Sequence, residues 1–154
     1  SRRHGFEIAN YYTPADGLTF ELDVSLTEAR FRDDDPAGDD VPGAVDTVVS
    51  AAVTYENEDG WIGSLRLRPF GPRSLVEDGS AESDGTSVVN LRTGYQTENW
   101  AVFIDVLNLL DSDDDDITYF YGSRLPGEPA EGVEDEHFHV IEPRTLRAYF
   151  SWRF

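Results

Sequence analysis

The run Leu18-Thr19-Phe20-Glu21-Leu22-Asp23-Val24-Ser25-Leu26-Thr27 alternates strictly between apolar and polar side chains. Successive side chains of an extended strand point to opposite faces, so this run needs an apolar environment on one side only. The same rhythm returns, less cleanly, in residues 47–55 and 61–68. With segments near 4–13, 86–97, 100–110, 116–124 and 143–154, the pattern predicts about eight strands. Turn-rich stretches such as Thr13-Pro14-Ala15-Asp16-Gly17 and Asn57-Glu58-Asp59-Gly60 separate them. Helical periodicity is nowhere sustained, and the short connections predict an antiparallel meander in a single unit, residues 1–154.

Two architectures bury such strands. A soluble sandwich or barrel keeps its apolar residues inside, whereas a membrane barrel turns them outward and keeps a wet lumen. The polar positions carry Glu21, Asp23, Arg66, Arg68, Arg92, Arg147 and Arg153 mid-strand. These would be either a solvated exterior or a charge-paired lumen. No window approaches the roughly twenty apolar residues of a membrane helix, but barrel strands need only about nine to eleven. A formal charge of −19, from 31 acidic residues against 12 Arg and no Lys, would repel phosphates and speaks against nucleic-acid binding. Without cysteine there is no disulfide, thiolate nucleophile or cysteine metal site. The chain opens on Ser1-Arg2-Arg3 rather than Met, so the expectation is a piece of something longer, with any export signal upstream.

The final segment decides between the two. Leu146, Ala148, Phe150, Trp152 and Phe154 share one face, and Arg147, Tyr149, Ser151 and Arg153 the other. An aromatic row of this kind suits lipid, with Trp152 and Phe154 in the interfacial belt, as Trp61 and Trp100 would be. The row resembles the C-terminal signature of outer-membrane barrels, and that resemblance makes Phe150, Trp152 and Phe154 the signal read by the barrel-assembly machinery.

A second resemblance is narrower. Asn108-Leu109-Leu110-Asp111 is similar to the Asn-Leu-Phe-Asp motif of TonB-dependent receptors, with Leu110 in place of Phe. Tyr119-Phe120-Tyr121, Ser123-Arg124-Leu125-Pro126-Gly127-Glu128-Pro129, His137-Phe138-His139 and Glu142-Pro143-Arg144-Thr145 resemble the last strands and outer loop of that family. The resemblance implies a C-terminal segment of a barrel of about twenty-two strands, set in the lipid of the bacterial outer membrane with its C-terminus periplasmic. It also implies a periplasmic turn at 111–115 and an extracellular loop at 125–141. Uptake of a siderophore or other scarce nutrient would belong to the whole receptor, and TonB would be reached only through a plug that residues 1–154 do not contain. Eight strands also make the smallest closed barrels, so the further expectation is that the first and last strands pair. A small stand-alone barrel acting as an anchor shares this fold. A soluble β-protein binding carbohydrate or cations through acidic loops is the rival of another class.

Catalytic patterns are absent: there is no Gly-x-Ser-x-Gly elbow, phosphate loop or His-Glu-x-x-His, and the expectation is no enzyme and no cofactor. Asp111, Asp113 and Asp115 match early calcium-loop positions, but Asp116 stands where such a loop needs Gly and Gly122 where it needs Glu, which favours a solvated acidic turn. Asp33-Asp34-Asp35 and Asp39-Asp40 read as an irregular acidic loop. His137 and His139 would point the same way on an extended segment beside Glu134, Asp135 and Glu136, yet hydrogen bonding between loops explains them without a metal. With Arg124, they are the candidate ligand contacts of the outer loop.

Overall fold

The computed structural model describes residues 1–33 and 36–154, so Asp34 and Asp35 of the first acidic run lie outside the described residues. Its strands are β1 (Arg2–Ala15), β2 (Leu18–Arg30), β3 (Thr47–Glu56), β4 (Trp61–Phe70), β5 (Arg73–Ser74), β6 (Glu82–Ser83), β7 (Thr86–Gln96), β8 (Trp100–Leu107), β9 (Asp115–Ser123), β10 (Val133–Val140) and β11 (Thr145–Trp152). Seven of them form one sheet in the order β1-β2-β3-β4-β7-β8-β11, antiparallel throughout. β5 with β6 and β9 with β10 make separate two-stranded ladders.

The register carries one apolar face across the whole sheet. Leu22 faces Ala51, Ala51 faces Leu67, and Leu67 faces Val89 on successive strands. Further on, Leu91 faces Val106, which faces Leu146. A one-residue slip anywhere would turn a strand's apolar set to the wrong side, so the shared period of two fixes this register. Leu22, Leu65 and Phe150 do not meet in a dry centre; they are 44%, 41% and 64% exposed. Among the described residues no large side chain is fully buried. The apolar stretch of β2, Leu18–Leu26, has about the length a tilted membrane strand needs.

The opposite face is polar and paired. Arg66 donates to Glu21 at 2.6 Å and to Ser50 at 3.1 Å, tying β4 to β2 and β3. Arg92 grips Asp105 through two bonds of 2.6 and 2.8 Å, the two-pronged geometry that makes Arg–carboxylate pairs strong. The Arg92 guanidinium also lies over the rings of Phe103 and Tyr149, 5.5 and 6.0 Å from their centroids. Phe103 in turn covers Gly94 on the neighbouring strand, where a Cβ would overlap the Phe103 ring and the Val102 carbonyl oxygen. Gly94→Val should therefore destabilise the barrel by about 1–3 kcal/mol, the usual cost of overpacking, read as a lower urea midpoint of the intact barrel.

Two expectations are corrected. The sheet is open, with β1 and β11 at opposite edges, so the first and last strands do not close on each other. The segment near 116–124 is not a wall strand either. It pairs as β9 with β10, and the edge of β8 is taken by β11. The physical reason lies in composition. β9 carries Ile117, Tyr119 and Tyr121 on one face and Thr118 and Phe120 on the other, behind a run of carboxylates, and offers no wholly apolar side to lipid. β11 offers Leu146, Ala148, Phe150 and Trp152 to Val106, Ile104, Val102 and Trp100.

Candidate functional site

The two ends of the sheet differ. At one end the connections are tight: Asp16–Gly17, Asn57–Gly60 and Thr97–Asn99. The chain's last residue, Phe154, follows β11 to this same end. At the other end residues 31–46, 71–85 and 108–144 make long excursions, which hold 21 of the 31 acidic residues and four of the 12 Arg. That end therefore carries nearly all of the negative potential.

The tight-turn end has a girdle of amphipathic rings on the apolar face. Trp61 begins β4, Trp100 begins β8 and Trp152 ends β11, as the sequence led one to expect. Tyr12, Tyr55 and Tyr95 join them on that face, and the sequence reading missed these three. Counting each Tyr as a strand-end position on the apolar register would have found them. Trp61 meets Tyr95 edge-on at 5.0 Å, and Tyr95 lies 5.5 Å from Trp100. Rings of this kind, apolar in body with one polar tip, gather at a membrane–water boundary. Phe150, Trp152 and Phe154 are all strongly exposed on β11 and its end, with Phe150 and Trp152 in edge contact at 6.3 Å.

The Asn108-Leu109-Leu110-Asp111 motif sits at the long-loop end. The expectation of a turn at 111–115 on the side opposite to a loop at 125–141 is corrected, because both belong to the one excursion between β8 and β11. Asn108 and Asp111 both have positive φ, 48° and 57°, a conformation that Asn and Asp tolerate better than most residues. Together they swing the chain out of the sheet. Asn108 is buried, and its side chain closes a clasp: Nδ2 donates to the carbonyls of Ser112 and Glu142, and Oδ1 accepts from the Ser112 amide. Its own amide donates to Asn90 Oδ1 on β7. Asp111 accepts from the Arg144 amide at 3.0 Å and its guanidinium at 2.9 Å. These bonds hold the Asp111 carboxyl below its ordinary pKa, the amide of Arg144 contributing most. The motif and Glu142-Pro143-Arg144 are thus two halves of one fastening at the base of the excursion.

The other acidic residues of this run serve as local acceptors. Asp114 takes the Ser87 amide at 2.8 Å, and Asp116 meets His139 Nδ1 at 2.8 Å. Among the described residues no group of three His, Cys, Asp or Glu is arranged to hold a metal. His137 and His139 share a face of β10, as alternation requires, but go to different partners. His137 stacks on Tyr121 at 3.9 Å while His139 pairs with Asp116. Arg124 follows the end of β9 at the hairpin's tip, whereas His139 lies opposite Ile117 near its base. The structure does not bring Arg124 to the two histidines.

Comparison with known proteins gives the arc its wider context. A family profile described as TonB dependent receptor-like, beta-barrel, matches residues 1–109. The ferric yersiniabactin uptake receptor FyuA of Yersinia pestis superposes on 96% of the chain with a TM-score of 0.74 at 18% identity. The ferric-catecholate import receptor Fiu of E. coli K12, in a closed form, superposes on 95% with a TM-score of 0.70 at 18% identity. The chain spans only 23% and 20% of those two proteins. An open sheet of antiparallel strands, apolar on one face and salt-bridged on the other, is what a segment of a larger barrel must look like, and the chain belongs to the TonB-dependent receptor β-barrel family of the Gram-negative outer membrane.

Proposed function

We propose that this chain is a C-terminal arc of the wall of an outer-membrane importer, one that takes up a siderophore or another scarce nutrient. The carrying observation is the apolar face that the register runs across the sheet, with much of it exposed, opposite a face of charge pairs. A soluble carbohydrate- or cation-binding protein would have to leave that apolar face in water. Alone the arc encloses no channel, so import belongs to the complete barrel, and contact with TonB to a plug outside residues 1–154. Membership of a family of transport receptors supports reading the arc as part of a transporter.

Sidedness follows from loop length. Outer-membrane barrels keep short turns in the periplasm and long loops outside. This supports a periplasmic position for Phe154 and the tight turns, and an external one for residues 31–46, 71–85 and 108–144. The β9–β10 hairpin then meets an arriving ligand first, through His137 and His139 on one face of β10 and Arg124 at the tip. The exposed row Phe150, Trp152 and Phe154 is the segment we assign to the barrel-assembly machinery.

Residues 1–154 contain no cysteine, which makes the test direct. Single Glu58→Cys and Glu131→Cys variants of the whole receptor, freed of any other cysteine, are exposed in living cells to a membrane-impermeant maleimide. Glu131→Cys should label in intact cells and Glu58→Cys only after the outer membrane is opened. The reverse pattern would invert the proposed orientation, and labelling of both in intact cells would remove the membrane from the picture.

A further inference from the structure

Among the described residues only two arginines, Arg66 and Arg73, are half-buried, and the rest are exposed. Arg66 is paired with Glu21. Arg73, on β5, has no carboxylate partner among the described residues, and its guanidinium makes a single hydrogen bond, 3.5 Å to the Asp116 carbonyl. Across the β5–β6 ladder it stands opposite Ser83, whose buried hydroxyl also lacks a hydrogen-bond partner. A guanidinium carries five N–H donors, and drawing it out of water without filling them is costly. The three long excursions hold 21 acidic residues, yet none of these described carboxylates pairs with this cation.

Arg73 borders a hollow of about 310 Å³ where the three excursions meet. Pro42 comes from the first, Leu75 from the second, and Ile117, Thr118 and Tyr119 from β9 in the third. The Gly43 amide donates to the Ser74 carbonyl at 2.8 Å, and Thr86 Oγ1 to the Asp115 carbonyl at 2.7 Å, so the walls are tied to one another and to β7. No acidic residue borders the hollow among the described residues.

We propose that this hollow binds an aromatic monocarboxylate, its carboxylate on Arg73 and its ring against Leu75, Ile117 and Tyr119. A planar guanidinium with free donors matches a carboxylate through two parallel bonds. An inorganic anion would leave the apolar walls unused, and a cation would find no opposite charge on them. The surrounding carboxylates repel a multiply charged anion far more than a singly charged one. The volume lies near the lower end for small-molecule pockets, which suits one ring. Arg124, His137 and His139 do not border the hollow, so it is separate from the three contacts assigned to the hairpin. The inference adds a ligand class to the proposed importer and rests on that reading for the ligand's route, though not for the binding itself.

The intact receptor, purified in detergent, is titrated separately with para-fluorobenzoate, para-fluorobenzamide and para-fluorobenzylammonium, and binding is read from fluorine NMR line broadening. The benzoate should bind roughly tenfold more tightly than the benzamide, the scale of one charged hydrogen-bonded contact, and the benzylammonium should not bind. Inorganic phosphate at the same concentration should leave the bound benzoate in place. Arg73→Gln should remove the preference for acid over amide. If that variant fails to fold, Tyr119→Glu, at a position 62% exposed, should abolish benzoate binding by setting a carboxylate beside the hollow. Absence of benzoate binding, equal binding of acid and amide, binding of the benzylammonium, displacement by phosphate, or a preference unchanged by Arg73→Gln would each overturn the proposal. A receptor that binds benzoate but labels in the reverse pattern would overturn the orientation alone, and one that labels as expected but ignores benzoate would overturn this site alone.

Discussion

Leu65→Arg is expected to destabilise the barrel in a bilayer by about 2–4 kcal/mol, the cost of an arginine near the membrane midplane of an outer-membrane barrel. Leu65 lies mid-strand on the apolar face, between Val53 of β3 and Leu91 of β7. The mid-strand carboxylates Glu21, Asp23 and Asp105 all sit on the opposite face, so a guanidinium there has none of them as a partner. The cost should fall with depth. Leu18→Arg, beside the Asp16–Gly17 turn on the same face, should lose only about 0–1 kcal/mol. Ser25→Arg faces the polar side, where Glu7 and Asp23 line an adjoining hollow, and should change stability by no more than about 0.5 kcal/mol. Urea titration of the intact barrel folded into vesicles would measure all three. A harmless Leu65→Arg beside a damaging Ser25→Arg would mean that the faces are assigned the wrong way round.

Orientation of this kind was legible because it depends only on local alternation. The seven wall strands, their register and the Trp positions follow from period-two patterning and turn residues, which act over a few neighbours. Closure was not legible. β1 and β11 each present an unpaired edge whose partner must come from other strands, and nothing in Phe6, Ile8 or Phe150 specifies which strand that is. The β9–β10 hairpin failed for a related reason. Residues 116–124 have strand-like content, and only the competition for the edge of β8, won by the cleaner apolar row of β11, excludes them from the wall. His137 and His139 were placed correctly on one face by alternation alone, while the distance to Arg124 depended on where the hairpin turned. The Asn108–Asp111 motif was read as the end of a strand before a turn, but the end of the sheet it occupies is set by bonds to Glu142 and Arg144, more than thirty residues away.

That clasp carries the largest local effect expected of a single polar side chain here. Asn108→Ala removes three side-chain bonds and leaves the Ser112 amide and the Ser112 and Glu142 carbonyls without their partner. It also forces alanine into the left-handed region, which costs about 1–2 kcal/mol by itself. With about 1 kcal/mol for each bond, the closed clasp should lose roughly 4–5 kcal/mol. Asn108→Gly, free of the conformational cost, should lose about 1 kcal/mol less. The loss should show as protease cleavage within residues 109–143 at unchanged barrel stability, since the wall strands are held by their own ladders. Acid probes the other half of the fastening. The Asp111 carboxyl is held below the unfolded value of about 3.9, so its contribution is complete above that pH and disappears only as pH falls through the lowered folded value. Protection of the segment should therefore persist at pH 5 in the unmodified barrel. Asp111→Asn should weaken it at pH 7 and pH 5 alike, and a clasp that opened between those two values would show that Arg144 is not what holds this carboxylate.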